Sequence, residues 1–174
     1  MKIKYSFILI ILVTVLISCS SKINRDIESK DLAKEISEKE KEIYNSDSLN
    51  IALANELIDM YLTYATDNPD ENLSPEYLFK AAEISMNINK AKNAVDYLSK
   101  IENNYKNYEK YVSSLFLKAF ILENYLKDYE NAKKYYSIIV ENYPDHALAQ
   151  DSEAALSFLG IDDMDLIKIF EQAM

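Results

Sequence analysis

The stretches LFKAAEISMNINKAKNAVDYLSKIENNY (78–105) and FLKAFILENYLKDYENAKKYYSIIVENYP (116–144) carry one pattern written twice. A shift of 38 residues lays Leu78 on Phe116, Ala81 on Ala119, Ala94 on Ala132 and Tyr97 on Tyr135. It also lays Leu98 on Tyr136, Ile101 on Ile139, Asn104 on Asn142 and Tyr105 on Tyr143. Small residues recur where two helices must approach closely, and bulky ones recur between them. Each unit therefore reads as a helical hairpin whose apolar face only its neighbours can bury.

Working outward, the punctuation predicts about eight helices. Asp31 to Tyr44 is Glu- and Lys-rich with a sparse stripe of Leu32, Ile36 and Ile43, which suits an amphipathic first helix. A second is capped by Asp47 or Ser48, carries Leu49, Leu53, Leu57, Met60, Tyr61 and Tyr64 at helical spacing, and stops before Pro69. Ser74 followed by Pro75 predicts the start of a third, through about Asn87. Lys90 to Tyr105, Glu109 to Tyr125 and Tyr129 to Tyr143 follow. A seventh runs from Ala147 to Gly160, the chain's single glycine, expected in the left-handed position after the helix. Asp162 caps a short eighth through Gln172. With one glycine, three prolines and abundant Ala, Leu, Ile, Lys and Glu, the fold class is all-α: a short solenoid of antiparallel hairpins over residues 31–174.

The second unit resembles the tetratricopeptide repeat. Ala132, Tyr136 and Pro144 stand at that motif's small, aromatic and proline positions, and Asp128-Tyr129 stands in its turn, where Lys127 replaces the usual glycine. In the first unit Ala82 and Ala94 keep the spacing of the small pair, while Lys106 takes the place of the proline. Leu57, Tyr61 and Pro69 look like the end of a further, degenerate unit. The period of 38 exceeds the usual ~34. Pro75 to Ala81 and Tyr143 to Ala149 also look like segments of small tetratricopeptide lipoproteins of Bacteroidota. More remotely, the chain is similar to the repeat lipoprotein of the outer-membrane barrel-assembly machine and to the tol-pal-linked periplasmic repeat protein. In the tetratricopeptide family the first helix of each hairpin lines the concave face. The resemblance therefore implies a partner-binding surface of Phe79, Glu83 and Met86 in one unit and Leu117, Ile121 and Asn124 in the next, with Glu83 selecting a basic residue. A last helix over Asp162 to Gln172 folded back onto Leu117 and Ile121 is the competing expectation.

Cys19, the single cysteine, supplies an address. Lys2 and Lys4 precede an apolar run from Phe7 to Ile17 and then Ser18, the three regions of an export signal. The run is too short to cross a bilayer, which takes roughly 20 apolar residues as a helix. Leu16-Ile17-Ser18-Cys19 resembles the lipobox of bacterial lipoproteins. That resemblance implies a signal peptide over residues 1–18, acylation of Cys19 with chains such as palmitate, and a tether over residues 19–30. Ser20 and Ser21 are not an inner-membrane retention signal, and Lys22-Ile23 do not resemble an acidic surface-export signal. The expected location is the outer membrane, facing the periplasm.

The formal net charge is −10, and losing Lys2 and Lys4 with the leader makes the remainder more acidic by two. Such a chain is repelled by phosphate backbones and anionic lipid surfaces, so no nucleic-acid partner is expected and the membrane is met only through the anchor. One glycine leaves no phosphate-cradling loop, and His146 as the single histidine builds neither a triad nor a common metal site. The clusters Asp162, Asp163, Asp165 and Asp67, Asp70, Glu71 suggest a cation. Acids in a first helical turn and a missing EF-hand glycine account for them without one. No catalytic residue, cofactor or metal is assigned. The reading is a lipid-anchored scaffold that binds another envelope protein. The alternatives are a permanent subunit of an assembly or secretion machine and, more distantly, a carboxylate-dependent hydrolase.

Overall fold

A computed structural model describes residues 27–43, 45 and 50–161. The chain divides into two compact units, Met1–Leu53 and Ala54–Met174. In the first, helix α1 spans residues 27–43, with Ile36 fully buried and Leu32 and Ile43 half-buried along the expected stripe. Residues 27–30, ahead of Asp31, are already helical, and Ile27 to Lys30 contain neither glycine nor proline to prevent it.

Helices α2 (Ile51–Asp67), α3 (Leu73–Asn87), α4 (Ala91–Asn104), α5 (Tyr111–Asn124), α6 (Tyr129–Asn142) and α7 (Leu148–Phe158) follow, and no strand occurs among the described residues. Seven of the roughly eight expected helices are thus in place; the eighth, over Asp162 to Gln172, lies outside the described residues. Helices α3 and α4 pack as one hairpin and α5 and α6 as the next, with α4 on α5 and α6 on α7 joining successive units. The fold is the expected all-α, tetratricopeptide-like stack.

The 38-residue shift holds at the level of burial. Ala81, Ala94 and Ile101 are fully buried, and so are their images Ala119, Ala132 and Ile139. The same shift maps Asn89 onto Lys127, and both adopt left-handed backbone, at φ 62° and 54°. Each hairpin therefore turns through one geometry. Asparagine tolerates it, while lysine, standing where the family resemblance places glycine, holds it under strain of about 1 kcal/mol. Gly160 has the expected positive φ of 76°. Leu115, Ala119, Leu122, Ala132, Tyr136 and Ile139 form the core of the second hairpin, closed by Phe116 edge-on to Tyr136 at 5.6 Å. At the other end, Tyr61 stacks on Tyr77 at 5.0 Å and Tyr64 meets the same ring edge-on at 4.8 Å.

From α2 onward, three helix starts differ from expectation by two residues or more, each for a local reason. The cap of α2 is Asn50, whose Oδ1 accepts the Ala52 and Leu53 N–H groups at 3.1 Å each, so the helix starts after Asp47 and Ser48. Helix α3 starts at Leu73, one residue before Ser74. The Ser74 hydroxyl donates back to the Asn68 carbonyl instead of capping, and Pro75 is harmless because every N–H of a first turn lacks an intrahelical acceptor. Helix α5 starts at Tyr111 because Tyr111 N–H closes a turn onto the Tyr108 carbonyl at 2.9 Å.

Candidate functional site

The six residues expected to meet a partner do not form one surface. On α3, Glu83 is exposed and Met86 half-buried, but Phe79 is buried at 9% exposure. On α5, Leu117 is half-buried and Asn124 exposed, but Ile121 has no exposure at all. Phe79 and Ile121 are therefore core residues. A helix packed on both sides turns more of its circumference inward than the single stripe Leu115, Phe116, Ala119 and Leu122.

Phe120 is the surface residue that the pattern conceals. It is 37% exposed, and its ring meets that of Tyr125, itself 43% exposed, edge-on at 6.2 Å. The 38-residue shift holds the signal, since Phe120 stands where the first unit has the fully buried Ala82. A large ring at a position of close helix approach has to leave the interface. The accessible row on α5 is thus Leu117, Phe120 and Asn124, with Asn124 Nδ2 donating to the Phe120 carbonyl at 3.0 Å.

Around Phe79 the surface is charged. Lys110, the residue before α5, donates to both Glu76 oxygens at 2.9 and 3.0 Å and places its ammonium 5.5 Å from the Phe79 ring centre. The Tyr108 hydroxyl donates to Glu76 Oε2 at 2.5 Å. Burial alone would raise the Glu76 pKa, but the hydrogen bonds from Tyr108 and Lys110 outweigh it and hold the group below its ordinary value. The Tyr108 phenol is driven far up, first by burial and then by donating to that carboxylate. Glu83 lies on the same side, and partial burial raises its pKa against the pull of Lys110. Lys110, which acts on Glu83 only through space, is bonded to Glu76.

A second network, between α4, α5 and α6, gave no sequence signal. Lys118, 5% exposed, donates to Glu102 Oε2 at 2.7 Å and lies 4.3 Å from the Tyr135 ring centre, while the Tyr135 hydroxyl donates to the same oxygen at 3.1 Å. It borders a cavity of about 460 Å³ with Val95, Leu122 and Leu126 in its wall. Tyr136 makes a parallel contact, its hydroxyl donating to Glu123 at 2.8 Å.

His146 caps the start of α7, its Nδ1 accepting the Leu148 N–H at 3.1 Å. No three His, Cys, Asp or Glu side chains converge among the described residues, and Asp67, Asp70 and Glu71 do not meet at a point. Asp162, Asp163, Asp165 and Cys19 lie outside the described residues. No described helix is long and apolar enough to cross a membrane.

Residues 113–146, covering nearly all of α5, all of α6 and the following Pro144, match the family model described as tetratricopeptide repeat. The hairpin is a tetratricopeptide-type unit. Repeats of this type mediate binding to other proteins, and the fold is typically a scaffold that performs no chemistry of its own. No curated protein and no solved structure matches the chain.

Proposed function

We propose that this protein is a lipid-anchored scaffold of the bacterial envelope. It is held to the outer membrane through Cys19 and faces the periplasm, where its repeats bind another envelope protein. The observation that carries the binding role is the accessible row Leu117, Phe120 and Asn124 on the first helix of a tetratricopeptide-type hairpin, apolar at its centre and polar at its end. The anchor rests on the position of Cys19 directly after the 11-residue apolar run Phe7 to Ile17. An acidic chain of this charge meets the membrane through its lipid and not through its surface.

Both halves are testable in one strain series. Metabolic labelling with a fatty-acid analogue marks the wild type and not Cys19→Ala; a label that persists in the variant sinks the anchor. A partner captured from solubilised envelope by the wild type is lost with Phe120→Glu, which keeps its helical circular dichroism. Undiminished capture by that folded variant rules out the α5 row as the binding surface.

A further inference from the structure

Among the described residues the exposed aromatic side chains are Phe120, Tyr125, Tyr129 and Phe158, and they lie at one end of the stack. Tyr125 and Tyr129 flank the turn between α5 and α6, and the Phe120 ring meets that of Tyr125. Gly160, two residues beyond Phe158, sits so close over Tyr129 that a Cβ there would lie 3.6 Å from its ring. The end of α7 therefore borders the same turn.

The repeat itself does not demand this aromatic edge. The 38-residue shift lays Phe120, Tyr125 and Tyr129 on Ala82, Asn87 and Ala91, so the first hairpin closes the same turn with small and polar residues. Exposed rings that are grouped, and not scattered singly, mark a contact surface.

What meets the edge follows from where the chain leaves the described residues. It does so after Ile161, one residue beyond Gly160, and residues 162–174 follow. As a helix a segment of that length spans roughly 20 Å, more than the ~9 Å between the axes of packed neighbours. It therefore reaches from Tyr129 on α6 across to Phe120 on α5. Its acids, Asp162, Asp163 and Asp165, come first, and Met164, Ile167, Phe170 and Met174 recur at three- and four-residue spacing. Lys127, exposed in the turn between Tyr125 and Tyr129, makes no hydrogen bond or ion pair among the described residues. A negative start followed by an apolar row complements a cation followed by rings.

We infer that residues 162–174 dock across this edge, aspartates toward Lys127 and apolar side chains on Tyr129, Tyr125 and Phe120, and that a partner must displace them to reach Phe120. The displacement rests on the scaffold reading; the docking does not. Ile121 has no exposure, so the segment meets the Phe120 side of α5 and not the pair Leu117 and Ile121.

The chain has no tryptophan, so Phe170→Trp puts a single indole into the segment. In the full chain in detergent its emission is blue-shifted. Tyr125→Ser with Tyr129→Ser moves it to the value of the urea-unfolded chain, and Lys127→Glu moves it part of the way, with helical circular dichroism kept in both. Ile51→Ser with Leu73→Ser, which removes exposed apolar side chains elsewhere, leaves it in place. A solvent-exposed indole in the parent, or one unmoved by the tyrosine pair or by Lys127→Glu, overturns the inference. So does a blue shift that fades on dilution, which puts a second copy on the edge. A chain ended after Ile161 captures the partner about threefold or more tightly, because a competitor in the same chain acts at high effective concentration. Equal capture with and without the segment overturns the displacement. Failure of both forms to capture any partner removes the scaffold reading and leaves the docking to stand or fall by the indole.

Discussion

Ile121→Glu unfolds the second hairpin or costs at least about 4 kcal/mol, because a carboxylate placed at a position with no solvent exposure must either lose its hydration or be protonated. For a domain of this size that loss lowers the melting temperature by 10 °C or more. Leu117→Glu, one turn earlier and half-buried, costs about 1 kcal/mol by the same accounting, since part of the introduced side chain reaches water. Thermal denaturation followed by circular dichroism compares the two directly. Equal midpoints would mean that Ile121 is on the surface after all, and the partition of α5 into core and accessible row would fall.

The second large effect is at Glu102. Its removal as Glu102→Ala leaves the Lys118 ammonium enclosed with the Tyr135 ring as its remaining polar contact. Stripping one partner from a buried pair costs about 3–5 kcal/mol, and the lower end applies because the Glu102 side chain is 27% exposed and water can reach it. Replacing both charges, as Glu102→Leu with Lys118→Met, recovers most of that loss, to within about 1 kcal/mol of the wild type. Urea titration of the singles and the double separates the terms. A double variant as unstable as Glu102→Ala would show that the side chains matter here through packing and not through charge. Because the pair is largely enclosed, raising the salt concentration changes the single-variant penalty little.

The all-helical stack was legible from the 38-residue shift, because small and bulky residues at a fixed period record which positions two helices share. Ala81 with Ala119, Ala94 with Ala132 and Ile101 with Ile139 are buried in pairs as that record requires. Helix starts were less legible. Asp47, Ser48 and Asn50 are all good caps, and which of them caps α2 depends on where the packed face begins. Ser74 reads as a cap and instead bonds back across its own turn.

Of the candidate surface, Glu83 and Asn124 are exposed and Met86 and Leu117 half-buried, while Phe79 and Ile121 are inside. Periodicity identifies one apolar stripe per helix, and it cannot say how many neighbours a helix has. The Lys118–Glu102–Tyr135 network left no trace in the sequence, since its members lie on three helices and 16 or 33 residues apart.

The paired left-handed turns at Asn89 and Lys127 carry a kinetic consequence. Each closes a hairpin whose helices are immediate neighbours along the chain, and every substantial helix pairing from α3 to α7 joins elements at most two apart. Contacts this local require little loop closure before they are rewarded, which places the array among fast-folding topologies. Either hairpin can serve as the nucleus from which order spreads to its neighbours. Asparagine tolerates left-handed backbone better than lysine does, so the Asn89 turn costs less to close than the Lys127 turn.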